Sequence, residues 1–211
     1  SLPPTAPASD AALIMAKHGF RHVIVADSET GKLYGMVSEK DLFSLQRISV
    51  RQINLRLQAA QSVHDVAACC DDTRKLADNM MAQGIAVEQI TQIISALNDV
   101  TLRQLSRLIR EYHPQVKQLD YCWLALGSEG RMEQTLYTDQ DNGIIFRTTA
   151  AQDTQATREV LLAFAQEVNQ ALDTCGFPLC KGNIMASNPQ WCLSDDEWRH
   201  RFSAWINSPD P

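Results

Sequence analysis

Residues 123–146 constrain this chain more than any other stretch. An apolar run, Trp123-Leu124-Ala125-Leu126, enters Gly127-Ser128-Glu129-Gly130-Arg131-Met132-Glu133. Thr138-Asp139-Gln140-Asp141-Asn142 follows, and a second apolar run, Ile144-Ile145-Phe146, leads out. Short apolar runs bounded by small and polar residues read as strands. The pattern predicts a strand, a small-residue turn, a connecting segment, and a second strand opened by two carboxylates. Side chains two apart on a strand share a face, so Asp139 and Asp141 are expected to face one point.

Two carboxylates at one point need a cation between them, and hard divalent ions favour oxygen ligands. A Gly-Ser turn beside them offers backbone N–H groups and a hydroxyl to phosphate oxygens. A divalent ion beside phosphate suits nucleotidyl transfer. Other phosphate and metal motifs do not fit. A P-loop needs Gly-Lys-Ser/Thr where this chain has Gly130-Arg131-Met132. No G-x-S-x-G elbow is present. Asp139-x-Asp141-x-Gly143 puts its glycine in the wrong place for a calcium loop, and Ala150 stands where that loop needs Glu. A polar hairpin turn at residues 139–143 is the competing reading. The Gly-Ser element upstream weighs against it.

Formal net charge is −6, from 25 acidic and 19 basic residues, which argues against charge-driven binding to bulk nucleic acid. No stretch of about 18 apolar residues exists, so no membrane span is expected, and no signal peptide is evident. The six cysteines include no C-x-x-C pair, which disfavours a zinc ribbon. Reduced thiols in a cytoplasmic protein are the expectation. The chain opens at Ser1-Leu2-Pro3-Pro4, and it is expected to be a piece of a longer protein.

Three regions separate by pattern, giving an α/β (α+β) fold class. Residues 1–49 read as helix, strand, strand, helix. Ser9-Asp10 starts the first helix and Gly19 ends it. Residues 22–26 and 33–37 are the strands, and Ser38-Glu39-Lys40-Asp41 opens the second helix. Residues 50–117 read as all-helical. Ile90, Ile93, Ile94, Leu97, Thr101, Leu105 and Leu108 recur at three- and four-residue steps, Asp71-Asp72-Thr73 and Gly84 punctuate the segment, and Pro114 ends it. Residues 118–211 read as a mixed-sheet domain. Its helix carries Leu161, Phe164 and Val168 on one face and is closed by Gly176. Residues 179–185 are a further strand, and Ser194-Asp195-Asp196-Glu197 starts a last helix. There Trp198, Phe202, Trp205 and Ile206 form a packing face.

The first region resembles a CBS motif on the strength of Gly35-Met36-Val37-Ser38-Glu39-Lys40-Asp41. That resemblance implies that Ser38 and Asp41 contact the phosphate and ribose of AMP, ADP or ATP. Ser38 capping the helix, with Asp41 as its third-position acid, is the equal alternative. CBS motifs usually work in pairs, which implies a partner copy upstream or on another chain.

Gly127-Ser128-x-Gly130-Arg131-x-Glu133 with Thr138-Asp139-x-Asp141-Asn142 is similar to the nucleotidyltransferase superfamily, in the form found in the nitrogen-regulatory uridylyl- and adenylyltransferases. The whole chain resembles bacterial signal-transduction proteins that join CBS motifs, a helical segment and such a domain. The resemblance implies that Asp139 and Asp141 are catalytic and hold Mg²⁺ or Mn²⁺. Gly127, Ser128, Gly130 and Arg131 would bind the nucleoside triphosphate. Arg131 either neutralises the leaving pyrophosphate or pairs with Glu133 or Glu129. Glu133, Thr138 and Asn142 would support the carboxylates from behind. Lys181 and Ala186-Ser187-Asn188-Pro189 also resemble a family segment, without an assignable role. A third carboxylate from a later strand is implied, and it is expected beyond residue 211, leaving this stretch weak or inactive alone. The implied acceptor is a protein or a small molecule. The implied assembly is a homodimer through the CBS or helical segments. A non-catalytic nucleotide-sensing or dimerisation module is the alternative.

Overall fold

A computed structural model describes residues 1–27, 30–39, 41, 49–149 and 152–208. The chain divides into two units, Ser1–Ile48 and Ser49–Pro211.

In the first unit, helix α1 (Ala8–His18) precedes strands β1 (His22–Ala26) and β2 (Leu33–Ser38), which pair antiparallel. The helix starts one residue before Ser9. Its N-cap is Pro7, which supplies no side-chain cap. Gly19 ends it at φ 68, and its N–H returns to the Met15 carbonyl. Ala11, Met15 and Val23 form the small core, with Leu2, Ile14 and Val37 packed around it. Most of the helix expected after Ser38 lies outside the described residues.

The second unit opens with α2 (Val50–Ala59), capped by a reciprocal Ser49–Gln52 box. α3 (Val63–Ala82) and α4 (Val87–Arg110) fold back on one another through Gly84, at φ 71. Asp71, Asp72 and Thr73 lie inside α3 rather than punctuating it. Asp71 pairs with Arg74, Asp72 with Arg56 and Lys75, and the Thr73 hydroxyl donates to the Cys69 carbonyl. These local bonds remove the helix-breaking tendency of short polar side chains. The stripe on α4 meets α3 through Ala77, Met80, Ile90 and Ile94.

A 3₁₀ turn (Pro114–Gln118) leads to β3 (Asp120–Ala125). A helical turn, α5 (Gly127–Gly130), then precedes β4 (Asn142–Arg147). β3 and β4 are antiparallel, and β4 pairs in parallel with β5 (Cys192–Ser194). α6 (Thr154–Thr174) covers one face with Leu161, Phe164, Ala165 and Val168 fully buried. It ends in a Schellman turn at Gly176, φ 88, where Phe177 N–H reaches the Leu172 carbonyl at 3.0 Å. α7 (Asp195–Asn207) starts at a Ser194–Glu197 capping box and buries Trp198, whose indole N–H donates to the Ile144 carbonyl at 2.9 Å. Phe202 and Trp205 stay about half exposed and Ile206 is exposed, so only Trp198 of that face is core.

Residues 179–185 are not a strand. The third strand is Cys192–Ser194, too short for an alternation signal to register. Among the described residues no helix is long and apolar enough to cross a membrane.

Candidate active site

Strand pairing builds the site. Ala125 at the end of β3 lies opposite Asn142 at the start of β4, and Leu126 N–H donates to the Asp141 carbonyl at 2.9 Å. The chain therefore leaves β3 beside the point where it enters β4. The Gly-Ser turn must pass Asp141 at close range.

Gly127 is what lets it pass. Its φ is +53, and a Cβ there would sit 2.4 Å from Asp141 Oδ2. Any side chain would collide with the carboxylate and also strain the backbone. Gly130 N–H donates to the Leu126 carbonyl at 3.0 Å, which leaves the amides of Gly127, Ser128 and Glu129 ahead of the first intrahelical bond. A Cβ on Gly130 would lie 2.7 Å from the Ala125 carbonyl oxygen, so this glycine too is required by close backbone approach. Met132 holds φ 58, a left-handed non-glycine conformation costing about 1–2 kcal/mol. It turns the chain so that Glu133 N–H reaches the Ser128 carbonyl at 2.9 Å.

Asp139 and Asp141 lie in the irregular segment just before β4, not on the strand. Gln140 between them is the reason. It is 2% exposed. Its amide donates to the Asn169 and Phe177 carbonyls at 2.9 and 2.8 Å, and its N–H donates to the Pro178 carbonyl. These bonds pull the backbone off the β3 ladder. Asp139 is exposed and Asp141 half-buried. Cys180 Sγ lies 3.4 Å from Asp141 Oδ1, a weak donor to it.

Asn142 does not contact the carboxylates. Its Oδ1 accepts from Ala186 N–H at 2.7 Å and from Asn169 Nδ2 at 3.1 Å. Asn169, on α6 and fully buried, also donates to Gln140 Oε1 at 2.7 Å and accepts from Ser187 N–H at 3.2 Å. The Ala186-Ser187 segment thus has a physical role. Its backbone closes a buried amide network that fixes the Asp139–Asn142 segment against α6.

Ser128 and Thr138 bring their hydroxyls to 3.2 Å, so Thr138 steadies the Gly-Ser turn rather than the acids. Arg131 Nε donates to Glu133 Oε2 at 2.9 Å in an exposed pair. The connecting segment is anchored on α4: Gln134 N–H donates to Ser95 Oγ, Gln134 Oε1 accepts from Asn98, and Leu136 packs against the Met80–Ile90 cluster. The helices of the middle segment are therefore part of the wall that holds the site. In the first unit, Ser38 and Asp41 form a reciprocal cap, with Ser38 Oγ donating to Asp41 Oδ2 at 2.6 Å and Asp41 N–H donating to Ser38 Oγ at 3.1 Å. The cap uses the two groups that the CBS resemblance assigns to ribose and phosphate.

Burial, and then the charges of Asp99 and Asp141, push the Glu129 carboxyl up to about 7. Two acids beyond β5 are otherwise engaged: Asp195 pairs with Arg147 and Arg199, and Glu197 with Arg158. Among the described residues, no three His, Cys, Asp or Glu side chains gather as a complete metal cage. One or two carboxylates suffice for Mg²⁺, which completes its shell with water and substrate phosphates. The donor set of Asp139 and Asp141 beside a Gly-Ser turn fits that mode.

Gln140, Asn169, Ser95, Asn98 and Cys180 escaped the sequence reading. Isolated polar residues inside helical or loop patterns carry no spacing signal; Asn142 and Ala186-Ser187 stood out by resemblance, without pointing to this network. No curated protein and no solved structure matches the chain. A CBS domain model matches residues 1–47. A model of the family described as "Putative nucleotidyltransferase DUF294" matches residues 71–211, more than half of the chain, and the chain belongs to that family, with a CBS domain at its N-terminus.

Proposed function

We propose that the second unit transfers a nucleoside monophosphate from a nucleoside triphosphate to a protein or small-molecule acceptor, and that the CBS unit adjusts this in response to an adenine nucleotide. The observation that carries the reading is the contact of Gly127 with Asp141. A glycine at φ +53, where a Cβ would meet Asp141 Oδ2 at 2.4 Å, brings first-turn amides to the edge of a carboxylate. That arrangement costs backbone freedom and has a use if phosphate oxygens and a cation meet there.

In this reading Gly127, Ser128 and Glu129 amides and the Ser128 hydroxyl hold triphosphate oxygens. Asp139 and Asp141 would hold Mg²⁺ or Mn²⁺, which when bound supplies charge to the transferring phosphoryl group and the leaving pyrophosphate. Arg131 exchanges its exposed pairing with Glu133 for pyrophosphate; such surface pairs are worth under about 1 kcal/mol. An acceptor oxygen bonds to the α-phosphorus, the bond to the β-phosphate oxygen breaks, pyrophosphate departs, and the acceptor proton passes to solvent or a nearby base. The Gln140–Asn142–Asn169 network keeps both acids in register through this exchange.

The test is pyrophosphate release from each triphosphate with Mg²⁺, in the presence of candidate acceptors, for wild type and Gly127→Ala. Turnover in wild type, reduced at least about tenfold in the variant, supports the reading; turnover indifferent to the substitution contradicts it. A second reading, nucleotide binding without turnover, is favoured by the engagement of Asp195 and Glu197 in ion pairs. It predicts tight triphosphate binding with no pyrophosphate released.

A further inference from the structure

Helix α4 and the edge strand β3 leave a groove of about 400 Å³ between them. Arg103, Arg107 and Arg110 line one wall, at spacings that put them on one helix face. Tyr121 and Trp123, alternate residues of β3, line the other. In a chain of net charge −6, this is a local reversal of sign. Arg107 is partly engaged, with Nε on Gln104 Oε1 at 3.2 Å and Nη2 near the Ala60 carbonyl at 3.4 Å. Arg103 is highly exposed and stands 3.8 Å from Asp99, a weak pair. Arg110 neighbours the Tyr121 hydroxyl. The Trp123 indole nitrogen is buried and has no hydrogen-bond partner among the described residues. Buried donors are almost always paired, so this one wants an acceptor.

The groove therefore offers donors, positive charge and aromatic surface. Asp99 and Ala125 also line it. Ala125 pairs with Asn142 and is two residues from Gly127, so the groove opens beside the candidate centre. The Asp99 carboxylate repels a triphosphate there, while the Gly-Ser turn supplies amides for the donor. Its volume suits one ring with its phosphate rather than a polymer.

We propose that the α4–β3 groove binds the acceptor, a small molecule carrying phosphate on a ring, with Arg103 and Arg110 on the phosphate and Trp123 and Tyr121 along the ring. The acceptor role of that molecule rests on the transfer reading; its binding does not.

The experiment is calorimetric titration of the whole 211-residue chain with ribose 5-phosphate and with inorganic phosphate, in metal-free buffer. Ribose 5-phosphate is expected to bind more tightly than inorganic phosphate. Arg103→Ala/Arg110→Ala is expected to weaken it about tenfold or more. Trp123→Phe, which keeps a ring and loses the N–H, is expected to weaken it about threefold. Thermal melts report whether each variant is folded, and the two sets of substitutions lie on different elements, so one misfolded variant leaves the other to decide. Equal affinity in wild type and both variants, or no heat up to about 10 mM ligand, overturns the proposal. Arginine-dependent binding in a protein that fails to bind Mg²⁺-triphosphate upholds the groove and counts against the transfer reading.

Discussion

Replacing Asn169 by alanine tests whether the buried amide network holds the candidate site together. Asn169 is fully buried and serves three partners: Gln140 Oε1 at 2.7 Å, Asn142 Oδ1 at 3.1 Å and Ser187 N–H at 3.2 Å. Asn142 Oδ1 keeps a second donor, Ala186 N–H, in the variant. Gln140 Oε1 and Ser187 N–H lose their bonds to the Asn169 amide. An orphaned buried group costs about 1–3 kcal/mol; Gln140 is buried and Ser187 half-buried, so the expected loss is about 3 kcal/mol. For a unit of this size that is roughly 6–12 °C in Tm. Urea denaturation should show a lower midpoint at unchanged slope, which separates lost stability from a changed unfolded state. Gln170→Ala, one residue along on the exposed face of α6, is the control and should stay within about 0.5 kcal/mol of wild type. A loss below about 1 kcal/mol for Asn169→Ala would refute the reasoning, because the network would then be replaceable by water or slack.

Gly127→Ala should cost about 1–2 kcal/mol of stability from left-handed strain alone, read by the same denaturation. It should also weaken triphosphate binding, since Asp141 must swing away from the new methyl. Glu129→Gln should change how stability depends on pH. The folded carboxyl is raised from 4.5 to about 7, so its contribution is present below about pH 4.5 and lost as pH rises through about 7. The variant should match wild type near about pH 4 and exceed it by about 1–2 kcal/mol at pH 8, after allowing for solvent; a gap constant with pH counts against that placement. Arg158→Ala removes two bonds to Glu197, at 2.5 and 2.6 Å, and one to the Cys192 carbonyl at 3.1 Å. It should destabilise by about 2–3 kcal/mol. In wild type, burial opposes ionisation of Glu197, but the Ser194 and Arg158 bonds outweigh it and lower its pKa. Its stabilisation is therefore present above the unfolded carboxylate range and lost as pH falls through the folded value, and Arg158→Ala should weaken that acid dependence in pH-dependent melts.

The elements with repetitive patterns were legible in the sequence. β1, α4, α6 and the Ser194–Glu197 start of α7 fall where period and capping residues put them. The Gly-Ser turn was legible because small residues between two apolar runs mark a turn; the close approach to Asp141 that favours glycine at 127 was not. The strand setting of Asp139 and Asp141 misled, because alternation assumes a straight ladder and Gln140 ties its backbone to Pro178 instead. The misplaced strand at residues 179–185 has the same origin. The Ile184 carbonyl there accepts from Asn142 N–H, and isolated contacts of that kind leave no periodic trace. Asp71 to Thr73 looked like a break because short polar residues favour turns. Their bonds within and across α3 reverse that preference.

The transfer site is tested most directly by calorimetric titration of the whole chain with ATP, GTP, CTP and UTP, with and without Mg²⁺, for wild type, Asp139→Asn and Asp141→Asn. At least one triphosphate is expected to bind only with Mg²⁺, and either substitution is expected to weaken it about tenfold or more. Binding that ignores both the metal and the two substitutions, or no triphosphate binding by the wild type, would contradict the assignment of Asp139 and Asp141.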